Sequence, residues 1–295
     1  MTSLKLVMVV LCLAGVLNAG FALDGLDIAA FNVQTFGKGT MRKPDVVDVL
    51  VKIINRYDVI LLQEIRDLSG QAIEQLLEEV NEDADDPYDY IISSRVGHTT
   101  SKEQYAFLYR SDEVEVIDSY EYDDGDESIG VDLFEREPFI VRFHCDETLV
   151  KDFVIVGIHT KPANAVNEID RLVDVYDDIV DRWEIDEVLF AGDMNADCNY
   201  VPASSWPTIR LRSDDRFEWL IDDGVDTTTG STDCAYDRFV TAGDELDNGI
   251  REGSVKVFDY DEAYNLSDDL MDDVSDHFPI ELELLPDPKY PNDEL

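Results

Sequence analysis

Short apolar runs recur along the chain, and segments whose apolar residues follow a helical spacing fall between them. "LDIAAFNV" (26–33) reads as a strand, Pro44 to Tyr57 as a helix opened by its proline, "DVILLQE" (58–64) as a strand, and Ser69 to Val80 as a second helix. Four shorter runs follow, "YDYIIS", "QYAFLYR", "VEVIDSY" and "PFIVRF", with turn residues at "DDGD", which predicts a β-meander in the middle of the chain. The first scheme then returns as "FVIVGIHT", a helix from Ala165 to Trp183, "EVLFAGD", "CAYDRFV" and a closing "SDHFPIELEL". Several strands are apolar on both faces, as strands are when both faces of their sheet are covered. The economical architecture is α/β, with two packed mixed β-sheets flanked by helices. No linker or low-complexity tract interrupts it, so one domain is expected over residues 23–285, followed by an acidic tail over 286–295.

The chain has 295 residues and is 44% hydrophobic, enough for a real core and incompatible with a disordered protein. Residues 1–22 have the form of a secretory signal: Lys5, an apolar run from Leu6 to Leu17, then small residues at Gly20 and Ala22. That run is too short for a comfortable membrane span. The expected product is a soluble, secreted monomer with no membrane partner. Its last four residues, "NDEL", stand one substitution from an endoplasmic-reticulum retrieval signal, an alternative destination. Cys12 leaves with the signal, so Cys145, Cys198 and Cys234 remain in an oxidising compartment. Cys198 and Cys234 each flank a polar, loop-like motif and are expected to pair, which leaves Cys145 buried within "FIVRFHC".

Polar residues gather where apolar strands end, the place at which an open α/β fold presents its ligand site. They are Asn32, Glu64, His159, Asp193, Asn195, Asp237, Asp276 and His277. Singly, a strand-end Asp or Asn is most often a turn former. Together with two of only 4 histidines, these residues describe a chemistry. One imidazole takes a proton from water while another gives one to a leaving oxygen, as phosphodiester hydrolysis requires. Glu64, Asp193 and Asp276, with the amide oxygen of Asn32 or Asn195, are hard ligands suited to Mg²⁺ or Ca²⁺ and not to zinc.

The motifs "IAAFNV", "VILLQEIRD", "IHTKP", "GDMNADCNYV", "IRLRSDDRFEWLI", "STDCAYDRFV" and "VSDHFPIELEL" together resemble the deoxyribonuclease I family, in wording closest to its gamma-type branch. The resemblance runs from about Leu26 to Leu284, in order and with little gapping. It implies a four-layer α/β sandwich and a secreted, divalent-metal-dependent endonuclease that cuts double-stranded DNA to 5'-phosphate ends. It further implies that His159 pairs with Glu103 and His277 with Asp237, that Glu64, Asn32, Asp193 and Asp276 lie close to a catalytic Mg²⁺ or Mn²⁺, and that Asn195 orients the scissile phosphate. One structural Ca²⁺ site would use Asp226, Thr228 and Thr232. A second would use Asp124, Asp132, Glu137 and the backbone oxygen of Phe134. Arg66, Arg136 and Tyr200 would meet the DNA.

The chain departs from the family's pattern in several places. Gln34 and His98 stand where the pancreatic member has arginines, and Ser101 where it has a groove-stacking tyrosine, so affinity for naked duplex should be lower. Phe139 replaces a small residue that contacts actin there, which argues against actin binding. Asp126 and Ile129 replace a small disulfide found in some members.

The charge poses a problem for this reading. At a formal −44, the chain repels the polyanion it is expected to cut. The acid excess and scarcity of lysine resemble a salt-adapted surface, and a salt-tolerant enzyme is the expectation. Two other readings remain at this point: a phosphodiesterase of the same superfamily acting on lipid or inositol phosphates, and a catalytically inactive acidic protein that binds calcium.

Overall fold

The structure is a computed structural model that describes residues 25–82, 84, 86–125 and 133–289. The signal-peptide segment, Asp126, Ile129, Asp132 and the terminal "NDEL" lie outside the described residues. In chain order the elements are β1 (Leu26–Phe36), α1 (Pro44–Ile54), β2 (Val59–Ile65), α2 (Gln71–Asn81), β3 (Tyr88–Ile92), β4 (Gln104–Arg110), β5 (Glu115–Glu121), β6 (Phe139–His144), β7 (Asp152–Gly157), α3 (Ala165–Trp183), β8 (Val188–Asp193), α4 (Arg210–Ser213), β9 (Glu218–Trp219), β10 (Asp237–Ala242), α5 (Asp244–Gly249), β11 (Lys256–Val257), α6 (Tyr260–Tyr264), α7 (Asp268–Val274) and β12 (Ile280–Leu284).

The strands form two six-stranded mixed sheets, ordered β11-β12-β1-β2-β4-β3 and β5-β6-β7-β8-β10-β9. Side chains alternate across a strand, and this explains why the runs are apolar on both faces. Ile28 and Ala30 of β1 point between the sheets. Ala29 and Phe31 point outward, under α1 and α2. Between the sheets lie Leu61, Phe107, Phe143, Phe153, Leu189 and Phe239, each buried, and each such phenylalanine contributes roughly 1.5–3 kcal/mol. The buried face of α3, including Ile169, Leu172 and Ile179, covers the second sheet. Helix, sheet, sheet and helix make the four layers. Among the described residues no helix is long and apolar enough to cross a membrane.

The expected single meander is two separate pieces. β3 and β4 are antiparallel neighbours in the first sheet, whereas β5 and β6 lead into β7 in the second. The chain therefore changes sheets between Arg110 and Glu115, which alternation along each strand could not reveal. The helix expected from Ser69 begins at Gln71, because Asp67 accepts from the backbone N–H groups of Ser69 and Ala72 at 3.1 and 2.9 Å and so occupies the entry turn.

Candidate active site

Strand direction assembles the site. β1 runs parallel to β2, and β7 parallel to β8, so their carboxyl ends bring Asn32, Glu64, His159 and Asp193 to one rim. β4, β10 and β12 are antiparallel to those strands, so they deliver residues at or just before their beginnings: Glu103, Asp237 and His277. β1 and β2 face β8 across the core, and the two rims meet. Asn32 Nδ2 donates to Asp193 Oδ2 at 3.2 Å. Gln63 completes the brace: its Nε2 donates to the carbonyl of Ile158 at 2.6 Å, and its Oε1 accepts from the N–H of Asp193 at 3.1 Å.

Each histidine is held by a carboxylate from the opposite sheet. His159 follows β7, and its Nδ1 lies 2.6 Å from Oε1 of Glu103, just ahead of β4. His277 precedes β12, and its Nδ1 lies 2.7 Å from Oδ2 of Asp237 at the start of β10. With Nδ1 engaged, Nε2 of both rings turns toward the same atom, Asp193 Oδ2, at 3.4 and 3.7 Å. Glu103 and Asp237 are fully buried, and both histidines are under 10% exposed.

The electrostatics follow from this packing. Burial opposes the charged form of His277, yet Asp237 and Asp193, followed by Asp276, overcome it and push the imidazole up to about 10. His159 is raised in the same way, with burial outweighed by Glu103 and Asp193. Burial would raise Glu103, but His159, Arg136 and Arg66 hold it below the usual carboxylate range.

Strained backbone marks the same rim. Gln34, Thr35, Glu64 and Asn195 all have φ between +41° and +62°. The β1–β2 and β2–β4 ladders both slip register there, between Asn32 and Phe36 and between Leu62 and Ile65. Such bulges re-aim side chains. Gly192 has φ +122°, and a Cβ there would lie 2.6 Å from Gln63 Nε2 and 2.7 Å from the Ile158 carbonyl, so only glycine lets Asp193 approach the brace.

Glu64, Glu103 and His159 each offer a ligand atom within 4.8 Å of the others. Thr35 N, Thr35 Oγ1 and Arg66 all bond to Oε2 of Glu64, so its hydrogen bonds and ion pair among the described residues fall on one oxygen. Asp193 and the amide oxygen of Asn32 add further oxygen donors, a set that fits a hard divalent cation. Asp276 is the outlying member, with its side chain 59% exposed and Oδ1 3.9 Å from His277 Nε2.

Comparison with known proteins agrees with this geometry. The model of the Endonuclease/Exonuclease/phosphatase family matches residues 29–277. Deoxyribonuclease-1 of Bos taurus is 45% identical over 284 residues, covering 96% of this chain and 100% of that protein, and the Homo sapiens enzyme gives the same figures. The chain belongs to the deoxyribonuclease I family. It is thus an enzyme of nuclease type. Mus musculus Deoxyribonuclease-1 is 47% identical over 88% of this chain and 91% of its own. These relatives are type 1 enzymes by name, so the gamma-type wording rests on the motifs alone. Among solved structures, an endonuclease/exonuclease/phosphatase family protein from Leptotrichia buccalis gives a TM-score of 0.61 at 18% identity, covering 88% of this chain and 99% of that one. The human Nocturnin catalytic domain gives 0.60 at 12%, covering 89% and 95%. Both share the fold.

The remaining residues singled out from the deoxyribonuclease I resemblance fall as follows. Cys198 and Cys234 form a disulfide, and Cys145 is buried and free. Asp226 Oδ1 accepts from Thr228 N, Thr228 Oγ1 and Cys234 N, while Thr232 joins through its carbonyl and hydroxyl, so the three residues expected at the first calcium site lie together. In the second, Asp124 Oδ2 accepts from Leu133 N and Phe134 N at 2.8 and 2.7 Å, Glu137 lies three residues beyond Phe134, and Asp132 is outside the described residues. Asn195 Nδ2 donates to the carbonyl of Thr160 at 3.0 Å. Tyr200 is 38% exposed and packs on Tyr236, whose ring in turn neighbours His277. Arg66 pairs with Glu64 and Glu103 at 2.8 and 3.4 Å, and Arg136 pairs with Glu103 at 2.8 Å.

Phe139 requires a correction. It is 4% exposed and sits against Phe107 between the sheets, so it offers no bulk to a partner and the argument against actin drawn from it fails. Sequence reasoning also passed over Gln63, Tyr105 and Thr227. The Tyr105 hydroxyl accepts from His159 N at 2.9 Å, and Thr227 Oγ1 donates to Asp237 Oδ2 at 2.8 Å. Only Gln63 carried a signal, as a polar residue inside an apolar strand.

Proposed function

We propose that the chain is a secreted, divalent-metal-dependent endonuclease that hydrolyses phosphodiester bonds of double-stranded DNA to 5'-phosphate and 3'-hydroxyl ends, and that it tolerates high salt. The observation that carries this reading is the convergence of two carboxylate-held imidazoles on Asp193 Oδ2. Glu103 and Asp237 fix the tautomer and orientation of the rings, leaving each Nε2 to exchange a proton within the cleft. One histidine relieves the attacking water of its proton, and the other protonates the leaving 3'-oxygen. Asn195 orients the scissile phosphate beside them. A hydrated Mg²⁺ or Mn²⁺ held by Glu64, Asn32 and Asp193, with Asp276 at its edge, would supply charge to the phosphoryl oxygens. Ca²⁺ at the Asp226 and Asp124 sets would order the flanking loops. The relatives, deoxyribonucleases by name, support DNA as the substrate.

Supercoiled plasmid incubated with the purified protein, with and without EDTA, tests this directly. Nicking that requires a divalent ion is expected. Cleavage of a lipid or inositol phosphodiester with intact plasmid would transfer the site to the other superfamily reading. Turnover of neither would leave an acidic calcium-binding protein, against which the two complete dyads argue.

A further inference from the structure

The two arginines nearest the histidines bring little net attraction for phosphate. Arg66 is balanced by Glu64 and Glu103, and Arg136 by Glu103. The same balancing extends over the molecule. Of the described lysines and arginines, all but five lie within ion-pair distance of a described carboxylate, as expected where 67 acidic residues face 23 basic ones. The five without such a partner among the described residues are Lys38, Arg42, Lys52, Arg95 and Lys102.

Their placement is not scattered. Lys38 and Arg42 are exposed in the loop after β1, directly beyond the bulge at which Thr35 holds Glu64. Lys38 Nζ donates to a neutral acceptor, Gln71 Oε1, at 2.7 Å. Asp67 feels Lys38 from beyond ion-pair distance, and its own oxygens are taken up by Ser69 and Ala72. Arg95 and Lys102 lie in the β3–β4 loop, beside the rung that pairs Val96 with Glu103. Each bonds to the other's backbone carbonyl, and Arg95 Nη1 is buried with no hydrogen-bond partner among the described residues. Only Lys52 lies elsewhere, on α1 over the ring of Tyr264. Four of these five therefore lie on loops at the catalytic end, Lys38 and Arg42 three and seven residues after Thr35, and Arg95 and Lys102 on the loop that leads into Glu103.

We infer that Lys38 with Arg42, and Arg95 with Lys102, form two cationic flanks that hold backbone phosphates of the substrate duplex on either side of the scissile bond. This rests on the nuclease reading of the same site. None of the four belongs to the DNA-contact set Arg66, Arg136 and Tyr200. Because the rest of the surface is acidic, the flanks also orient the encounter, leaving the catalytic end as the face at which a polyanion is not repelled.

Steady-state nicking of supercoiled plasmid tests the inference, measured along the falling limb of its NaCl dependence. Hydrolysis of bis(p-nitrophenyl) phosphate, too small to reach the flanks, serves as the reference. The proteins are the wild type, Lys38→Glu with Arg42→Glu, Arg95→Gln with Lys102→Gln, and Lys52→Ala. Each flank variant should lower the ratio of plasmid to small-diester kcat/KM by about tenfold, mainly through KM. Each should also flatten the log–log salt dependence by roughly one unit or more, the release of about one counterion per lost phosphate contact. Lys52→Ala should match the wild type in both. Flank variants with the wild-type ratio and slope, or no different from Lys52→Ala, would overturn the flanks while leaving the nuclease standing. A wild type that hydrolyses the small diester and leaves plasmid intact would remove the DNA reading and the flanks with it.

Discussion

His277 reaches Asp237 across the gap between the two sheets: Nδ1 lies 2.7 Å from Oδ2, with His277 in the segment leading into β12 and Asp237 opening β10. His159 and Glu103 cross the same gap in the opposite sense. Each dyad is therefore a tie between sheets, and the rings hold their positions only while the sheets hold theirs.

His159→Ala and His277→Ala should each lower plasmid nicking by at least about two orders of magnitude, the usual cost of losing a positioned acid or base. Removing His277 also leaves buried Asp237 without its cation, so its melting temperature should fall. The comparison is made at matched folded fraction. Most of the activity surviving in either variant would remove the two-histidine mechanism.

Glu168 on α3 is fully buried, and burial, only partly offset by bonds from Lys161 N and Asn164 Nδ2, pushes its carboxyl up to about 7 from 4.5. A folded value above the unfolded one gives stability that is fully present below about pH 4.5 and lost as pH rises through 7. Relative to Glu168→Gln, the wild type should lose on the order of 3 kcal/mol between pH 4.5 and 8. Urea unfolding in EDTA at several pH values measures the difference. A gap between the two proteins that does not change with pH would contradict the assignment.

Calcium should raise the melting temperature, since a ligand that binds only the native state stabilises it by mass action. Asp226→Ala, which removes the acceptor shared by Thr228 and Cys234, should shrink that rise. Reduction of the Cys198–Cys234 bond should lower the melting temperature independently. Melting curves indifferent to chelation would sink both calcium sets.

The global charge of −44 opposes DNA at low salt, while the cationic contacts at the cleft act at short range. At about 0.1 M salt the Debye length is roughly 10 Å and at 1 M roughly 3 Å, so repulsion from distant faces fades first. At fixed Mg²⁺ and Ca²⁺, nicking should rise from about 10 mM NaCl to a maximum at a few hundred mM and only then decline. Activity falling steadily from the lowest salt upward would mean that local phosphate contacts outweigh the global field.

The sequence by itself determined the strands and the main helices, because their periods of two and 3.6 residues are local properties of the chain. α3 was legible to its ends, and so was the gathering of Asn32, Glu64, His159, Asp193 and His277 at strand ends. The resemblance supplied the pairings His159 with Glu103 and His277 with Asp237. Periodicity could not have done so, since the partners lie 56 and 40 residues apart and on different sheets. Only the tertiary structure decided that the middle strands divide between the sheets, that Phe139 is interior, and that Gln63 and Gly192 brace Asp193 from behind. It alone showed which cations pair with a described carboxylate. The physical reason is the same throughout: apolar patterning says which face of a strand is buried, whereas strand order and sheet stacking, set by contacts far apart in the chain, decide what that face is buried against.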